Sequence, residues 1–378
     1  MRMPADIRVV ALDGTPWERG RIHGEALRPM IVEGINHWKN DLQKLVGMDA
    51  DEYVEQFIEE TDFLSAIKKW TPDLLEEVIG IGEGAGIDLN TILAWQLLDE
   101  QWWYSLEKRE TRTAADGGEC SALGVFHEGG SPPLLAQNMD LPDRCDGLQV
   151  LLHIKHPGSD LQLFVFTIAG LIALNGMNNQ AVGICCNTLM QLAHAPDGLP
   201  VAFTIRGVLG QSTLANAVKF VHKIKHASGQ NYLIGGPEGI VDLECSAHRV
   251  CQFVPCTGAT RVYHTNHPIV NDDTGMYEDL LERIPPAMRK LVDESPPATQ
   301  ARFAFLESQL IDPSKRVTVE TIKSILSSHE VPVCIDNKEQ GGGYLTFGCL
   351  IMVLSNRPEL HLAPGPPCST EFKTFDFN

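Results

Sequence analysis

Residues 113–141 read TAADGGECSALGVFHEGGSPPLLAQNMDL and decide how the rest of the chain is read. A polar segment with paired glycines runs into a single cysteine, Cys120, and an apolar run from Ala122 to Phe126 follows at once. Glycines and prolines at 129, 130, 132 and 133 make a turn, and a second apolar run ends in Gln137-Asn138-Met139-Asp140. Short apolar runs joined by Gly/Pro punctuation spell a β-hairpin. Its first residue is a cysteine, and its far end carries an amide and a carboxylate. A cut between Glu119 and Cys120 would put a thiol and a new α-amine on one residue at the start of a sheet.

Outward from this hairpin, the chain separates into helical and strand-rich parts. Thr15-Pro16-Trp17-Glu18 is a helix start, with Thr at the N-cap, Pro at the first helical position and Glu three residues after the cap. The spacing predicts helices over about 16–46, 50–70 and 72–85, and a fourth from Asp88 with Leu89, Ile92, Trp95, Leu98 and Trp102 on one stripe. That stripe is read first as core and second as an aromatic pocket wall. Residues 107–119 form a charged, glycine-containing link, either a plain linker or a processing loop.

After Cys120 the period changes from helix to strand. Strands are expected over 148–156, 161–168, 171–175, 181–187, 231–234, 239–245, 250–254 and 261–264, with 176–180 as a turn and helices over 200–209 and 214–225. Residues 275–328 read as mostly helical, and strands return over 345–354, 359–362 and 371–377. Blocks of strands with helices grouped between them indicate sheets covered by helices rather than alternating βαβ units.

The totals narrow the function. Of 378 residues, 43% are hydrophobic, enough for a large core, and 30 basic against 49 acidic side chains give a net charge of -19. A nucleic-acid partner would need a basic surface, so none is expected. The longest apolar run, around Phe164 to Leu174, is too short to span a bilayer. Ten cysteines in a chain of this length, with no leader-like start, read as thiols in a reducing, cytoplasmic setting.

A cysteine thiolate is the nucleophile of covalent acyl transfer and needs a base. An N-terminal cysteine supplies its own, because an α-amine titrates at about 7.7–8.0. Asp140, across the hairpin, is placed to orient that amine, and Asn266 in His264-Thr265-Asn266-His267 to donate to a developing oxyanion. Each has a plainer reading: Cys120 as a packed small hydrophobe, Asp140 as a cap, Asn266 as a turn residue. Cys120 with His264 or His267 also imitates a papain-like Cys-His pair, without the local sequence expected around such a cysteine. The HxxH pair lacks metal-site companions, and no glycine-rich run fits a nucleotide frame, so neither a metal nor another cofactor is expected.

At this point the sequence resembles the isopenicillin N / acyl-CoA:6-aminopenicillanic acid acyltransferase family of N-terminal nucleophile hydrolases, whose relatives include β-alanyl-amine hydrolases. The resemblance rests on Gly14 to Gly20 with His23-Gly24, on Gly80 to Ala85, on Cys120 with Gln137-Asn138-Met139-Asp140, on Gly176 to Val182, on Asn187, and on His264 to His267. It implies an α+β, four-layer αββα sandwich made as a precursor that cuts itself between Glu119 and Cys120. The products would be a helical segment 1–119 and a segment 120–378 led by the nucleophile, an αβ heterodimer from one chain acting on a small-molecule amide. Cys120 would be the nucleophile, Asp140 the amine-orienting residue and Asn266 the oxyanion donor, with Asn138, Asn187 and His264 toward the substrate. Two features depart most from the family pattern: Glu119 where Gly usually precedes the nucleophile, and no arginine near Val333-Cys334-Ile335-Asp336, where the penicillin enzyme has one; Met139 in place of an aromatic is a lesser change. An uncut, non-catalytic member that binds a metabolite is the alternative.

Overall fold

The computed structural model describes residues 7–108, 119–126, 130–256, 258, 260–283, 296–336 and 343–377, the backbone alone at 106–108 and 296–297. The chain begins with β1 (Arg8–Leu12) and then α1 (Pro16–Val46), α2 (Ala50–Glu60), α3 (Phe63–Trp70), α4 (Pro72–Ala85), α5 (Leu89–Trp95) and α6 (Glu100–Lys108). The α1 start is the capping box read from sequence: Thr15 Oγ1 accepts from Glu18 N, and Thr15 N donates to Glu18 Oε2 at 2.8 Å. The helix expected over 50–70 is two helices, broken where the Asp62 backbone N–H leaves the helical ladder and donates to Pro196 O at 2.8 Å.

From the hairpin onward the strands are β2 (Glu119–Val125), β3 (Leu134–Pro142), β4 (Gln149–Lys155), β5 (Gln162–Ile168), β6 (Asn175–Asn178), β7 (Gly183–Thr188), β8 (Gln230–Gly236), β9 (Gly239–Cys245), β10 (Val250–Phe253), β11 (Arg261–His264), β12 (Tyr344–Val353), β13 (Glu359–Ala363) and β14 (Lys373–Asp376). Between them lie α7 (Val201–Leu209), α8 (Leu214–Lys223), α9 (Gly275–Arg283), α10 (Pro296–Leu310) and α11 (Val319–Leu326). One sheet has eight strands in the order β1-β4-β5-β6-β7-β8-β9-β10, and the other has six in the order β11-β2-β3-β12-β13-β14.

The two sheets face each other. Phe166 of the first packs on Phe347 of the second with ring centroids 5.2 Å apart. Gly183 and Gly235 leave room for Leu135 and Leu354. Helices α7 and α8 cover the outer face of the eight-stranded sheet. Helices α10 and α11 cover the six-stranded one, burying Leu306, Leu310, Ile322 and Leu326 against Leu123, Val125 and Ile351. The result is the α+β, four-layer αββα sandwich that the resemblance implies.

The strand expected over 171–175 lies later, at Asn175–Asn178, where a turn was expected. These polar residues imitate a turn but are fully buried and bonded: Asn178 Nδ2 donates to Leu209 O and Gln211 O, and Asn175 Nδ2 to Gln137 Oε1. The two glycine-rich stretches that mark α1 and α4 meet face to face. A Cβ on Gly20, Gly24, Gly80 or Gly84 would stand 1.9–2.4 Å from a backbone oxygen of the facing helix, so only glycine allows this approach.

Candidate active site

Cys120 is the second residue of β2, an inner strand of the six-stranded sheet, with β11 on one side and β3 on the other. The register sets Glu119 opposite Asp140, Cys120 opposite Met139 and Ser121 opposite Asn138. Cys120 and Met139 both line a cavity. Because side chains alternate along a strand, Glu119, Asp140, Ser121 and Asn138 project from the other face, toward the α10–α11 layer.

Two groups from distant parts of the chain meet Cys120. Asn266, just after β11, accepts from the Cys120 backbone N at its Oδ1 (2.6 Å) and donates from Nδ2 to Thr188 O at the end of β7 (3.2 Å). It therefore ties the backbone of Cys120 to the opposite sheet. Arg302 of α10, fully buried, donates from Nη1 to Cys120 O (2.5 Å) and Ser121 Oγ (3.1 Å) and from Nη2 to Asn266 Oδ1 (3.2 Å). Its Nε lies 3.7 Å from the Glu119 carboxylate and makes no hydrogen bond among the described residues. Sequence reasoning missed Arg302. Its signal is phase: Thr299, Arg302, Leu306 and Leu310 are the buried positions of one helix stripe, and a charge on such a stripe requires a partner.

Asp140 is fully buried, and its Oδ1 accepts from Thr346 Oγ1 at 2.5 Å. Its Oδ2 has no hydrogen-bond partner among the described residues. Burial pushes its carboxyl up to about 7, against the pull of the Thr346 hydrogen bond and the Arg302 charge. Cys120 responds similarly: burial, then the nearby Asp140 charge, push its thiol up to about 12. In this arrangement the sulfur is protonated at neutral pH, and a positive charge or a base beside it is what would activate it.

The cavity next to Cys120 measures about 450 Å³ and is walled mainly by apolar side chains from α1, the α5–α6 region and α7. Leu98 and Trp102 of the expected stripe reach it, Trp95 packs in the core beside Trp38, and Leu89 is 49% exposed at the first turn of α5. The charges along the cavity are unequal. Asp41 pairs with Lys44 at 3.5 Å and Arg144 at 3.3 Å. Asp99 takes hydrogen bonds from Thr188 Oγ1 and Gln230 Nε2 on its Oδ2, while its Oδ1 has no hydrogen-bond partner among the described residues. Burial pushes its carboxyl up.

Three residues expected to face a substrate do not line this cavity. Asn138 points away from it and donates to Leu326 O and Val333 O, fastening the end of α11 to the sheet. Asn187 faces the interior between the sheets, its Oδ1 3.5 Å from Asn231 Nδ2 and its own Nδ2 buried without a partner among the described residues. His264 is fully buried between Thr265 O (2.8 Å from Nδ1) and Glu244 Oε1 (2.9 Å from Nε2). Glu244 in turn accepts from the backbone of Ile269, Val270 and Asn271, so this pair shapes the loop that carries Asn266. The ring of His267 bonds to Thr265 Oγ1 and Thr299 Oγ1. Both histidines are engaged away from Cys120, so the papain-like pairing is not formed. Most of the expected processing loop, residues 109–118, lies outside the described residues.

Cys120, on an inner strand of a four-layer αββα sandwich, is thus met by Asn266 and Arg302, with the buried Asp140 across the ladder from Glu119. A sequence model of the acyl-coenzyme A:6-aminopenicillanic acid acyl-transferase family matches residues 126–340, and the chain belongs to that family. The match takes in Asp140, Asn187, Asn266 and Arg302 and begins after Cys120. The acyl-coenzyme A:6-aminopenicillanic-acid-acyltransferase 40 kDa form of Emericella nidulans is 26% identical over 263 residues, 69% of this chain and 70% of that protein. Among solved structures, a mutant conjugated bile acid hydrolase from Clostridium perfringens is similar with a TM-score of 0.43 at 11% identity, over 68% of this chain and 97% of that one. An N-acylethanolamine-hydrolyzing acid amidase ortholog from Caenorhabditis elegans aligns with a TM-score of 0.43 at 17% identity, over 68% of this chain and all of that one.

Proposed function

We propose that the protein is a self-processing amidohydrolase whose nucleophile is Cys120. The observation that carries this reading is the orphan Oδ2 of Asp140, a buried carboxylate oxygen across the ladder from the Glu119–Cys120 link. A buried carboxylate oxygen without a donor costs free energy, and an α-ammonium freed at Cys120 would supply the donor.

In processing, the Cys120 sulfur bonds to the Glu119 carbonyl carbon and its proton passes to the departing nitrogen as the C–N bond breaks. Water then cleaves the thioester, leaving a carboxylate on Glu119 and a free thiol and amine on Cys120. The products are segments 1–119 and 120–378, held together as a heterodimer by the shared core. In turnover, the α-amine takes the thiol proton, the sulfur attacks a small amide, and the ammonium returns the proton to the leaving amine. Water resolves the acyl-enzyme; a second amine in its place would make the enzyme an acyltransferase. Asn266 and Arg302 hold the backbone around the sulfur, and Asn266 supplies an amide for the oxyanion.

The cavity narrows the substrate class. Its apolar walls suit an aliphatic or aromatic body, and Asp99, with Oδ1 unpaired, suits an amine-bearing end. N-terminal sequencing of the smaller band on a denaturing gel tests the processing step: it should begin at Cys120, and a band beginning elsewhere, or no cut in an active protein, would remove this reading.

One observation favours an uncut, metabolite-binding form. The Glu119 carboxylate lies beside the Arg302 guanidinium, so the residue before the cut stabilises the uncut arrangement. In that case a thiol-reactive amide or β-lactam probe leaves Cys120 unlabelled.

A further inference from the structure

Away from the cavity, three loops bring soft ligand atoms together. His329 follows α11, Cys334 lies in the next turn, and Cys368 sits in the turn between β13 and β14. The ring nitrogen and the two sulfurs lie within 4.8 Å of one another. The Asp336 carboxylate lies at the edge of this group, its Oδ2 accepting from Cys368 Sγ at 3.8 Å. We propose that this is a metal site: Cys334 Sγ, Cys368 Sγ, a His329 ring nitrogen and an Asp336 oxygen bind one zinc-like divalent ion.

Two sulfurs, one imidazole nitrogen and one carboxylate oxygen are a ligand set that a borderline-soft, tetrahedral ion prefers. Bonds of about 2.0–2.3 Å put tetrahedral ligand atoms about 3.5–3.8 Å apart. Bringing the ring nitrogen and the two sulfurs from up to 4.8 Å to that spacing needs a contraction of up to about 1.3 Å, within reach of side chains on turns. A disulfide between the two cysteines would explain the sulfurs alone, not the approach of the His329 ring. Sequence spacing gave no sign of the site, because its members come from separate turns of the fold. Cys334 is 1% exposed whereas His329 and Cys368 are exposed, so an ion would enter from the surface and close over a buried thiolate.

The position gives the site a consequence. Ile335, next to Cys334, donates its N–H to Thr346 Oγ1 (2.9 Å) and accepts from Thr346 N (2.9 Å), and Thr346 Oγ1 donates to Asp140. An ion joining the 366–370 turn to the 328–336 turn thus braces the hydrogen bond that holds Asp140.

The test uses the whole purified chain under reducing conditions, titrated with Co²⁺ and then Zn²⁺. One equivalent of Co²⁺ should give thiolate-to-cobalt charge-transfer absorption and the visible bands of a tetrahedral ion, and Zn²⁺ should erase both. His329→Gln, a surface change that leaves the core untouched, should weaken Co²⁺ binding at least tenfold, and Cys334→Ser with Cys368→Ser should abolish the charge-transfer band. A folded, reduced chain that binds no stoichiometric Co²⁺ overturns the proposal, as does a peptide map joining Cys334 to Cys368 as a disulfide in metal-loaded protein. The Co²⁺ spectrum is read whether or not Cys120 is cut, so its failure is separate from failure of the processing mechanism.

Discussion

Among the described residues, two groupings set buried arginines against carboxylates, and they are built to opposite ends. In the first, Glu77 of α4 lies between Arg19 of α1 and Arg206 of α7, all three buried. Arg206 donates to both Glu77 oxygens at 2.7 and 3.0 Å, and Arg19 donates to Oε2 at 3.0 and 3.2 Å. Burial pushes the Glu77 carboxyl up, but the two guanidiniums outweigh it and hold it down at about 2. In the second, Arg302 contacts only the edge of Glu119, and Asp140 keeps one oxygen unpaired and a carboxyl raised to about 7. The first grouping is closed and joins helices. The second is left open beside a thiol. A satisfied buried ion network secures structure, whereas an unsatisfied one marks where chemistry is to supply the missing partner.

The sharpest way to break this contrast is to remove the arginine from each side. Arg302→Ala should lower kcat/KM about 10³-fold, the cost of losing preorganised donors at the reacting residue. Arg302→Lys should not restore it, because one ammonium cannot reproduce the forked contacts to Cys120 O, Ser121 Oγ and Asn266 Oδ1. Glu77→Gln should instead cost about 3–5 kcal/mol in denaturant unfolding by leaving two buried guanidiniums uncompensated. The kcat/KM of the molecules that remain folded should not change. An activity loss in the Glu77 variant at full stability would erase the distinction.

The pH response sharpens the contrast. The Asp140 carboxyl is raised in the folded chain, so between its ordinary 3.8 and about 7 the folded state binds more protons than the unfolded one. Stability contributed by this group is therefore present at low pH and lost as pH rises through that window. In an uncut Cys120→Ala background, Asp140→Asn should raise stability at pH 8, by at most about 4 kcal/mol, and change nothing below pH about 4. Thermal melts across pH measure this. The smallest effect is at the cavity wall: Asp99→Asn should raise KM about tenfold for an amine-bearing amide and leave kcat and a neutral amide nearly unchanged, the value of one charge-assisted contact.

How much of this was legible in the sequence follows the range of the forces involved. The α1 start was readable because Thr15, Pro16 and Glu18 act within one turn, and the Cys120 hairpin because its alternation and its turn are local. The break at Thr61–Asp62 was not, since it answers to Pro196 across the fold. The strand at Asn175–Asn178 was hidden because asparagine reads as turn until its buried partners are known. The glycines of α1 and α4 were readable as a family signature, and their cause became visible only when the two helix backbones met. At the site, Cys120, Asp140 and Asn266 were singled out by order and spacing; the fold brings Asn266 to Cys120 and sets Asp140 across the ladder from the 119–120 link, and the roles given to them are the proposal. Asn138 and His264 were assigned to the substrate because a sequence does not say which face of a strand is the cavity. Arg302 was missed because a contact 182 residues away in the chain leaves no local trace.

The measurement closest to the central claim is the intact mass of the purified protein alongside its amidase activity, in wild type and Cys120→Ala. The expected result is a wild type resolved into a 119-residue segment and a 259-residue segment whose first residue is Cys120, and a Cys120→Ala chain that stays whole at 41.6 kDa and is inactive. A wild-type chain that hydrolyses its amide while remaining a single 41.6 kDa species would contradict it.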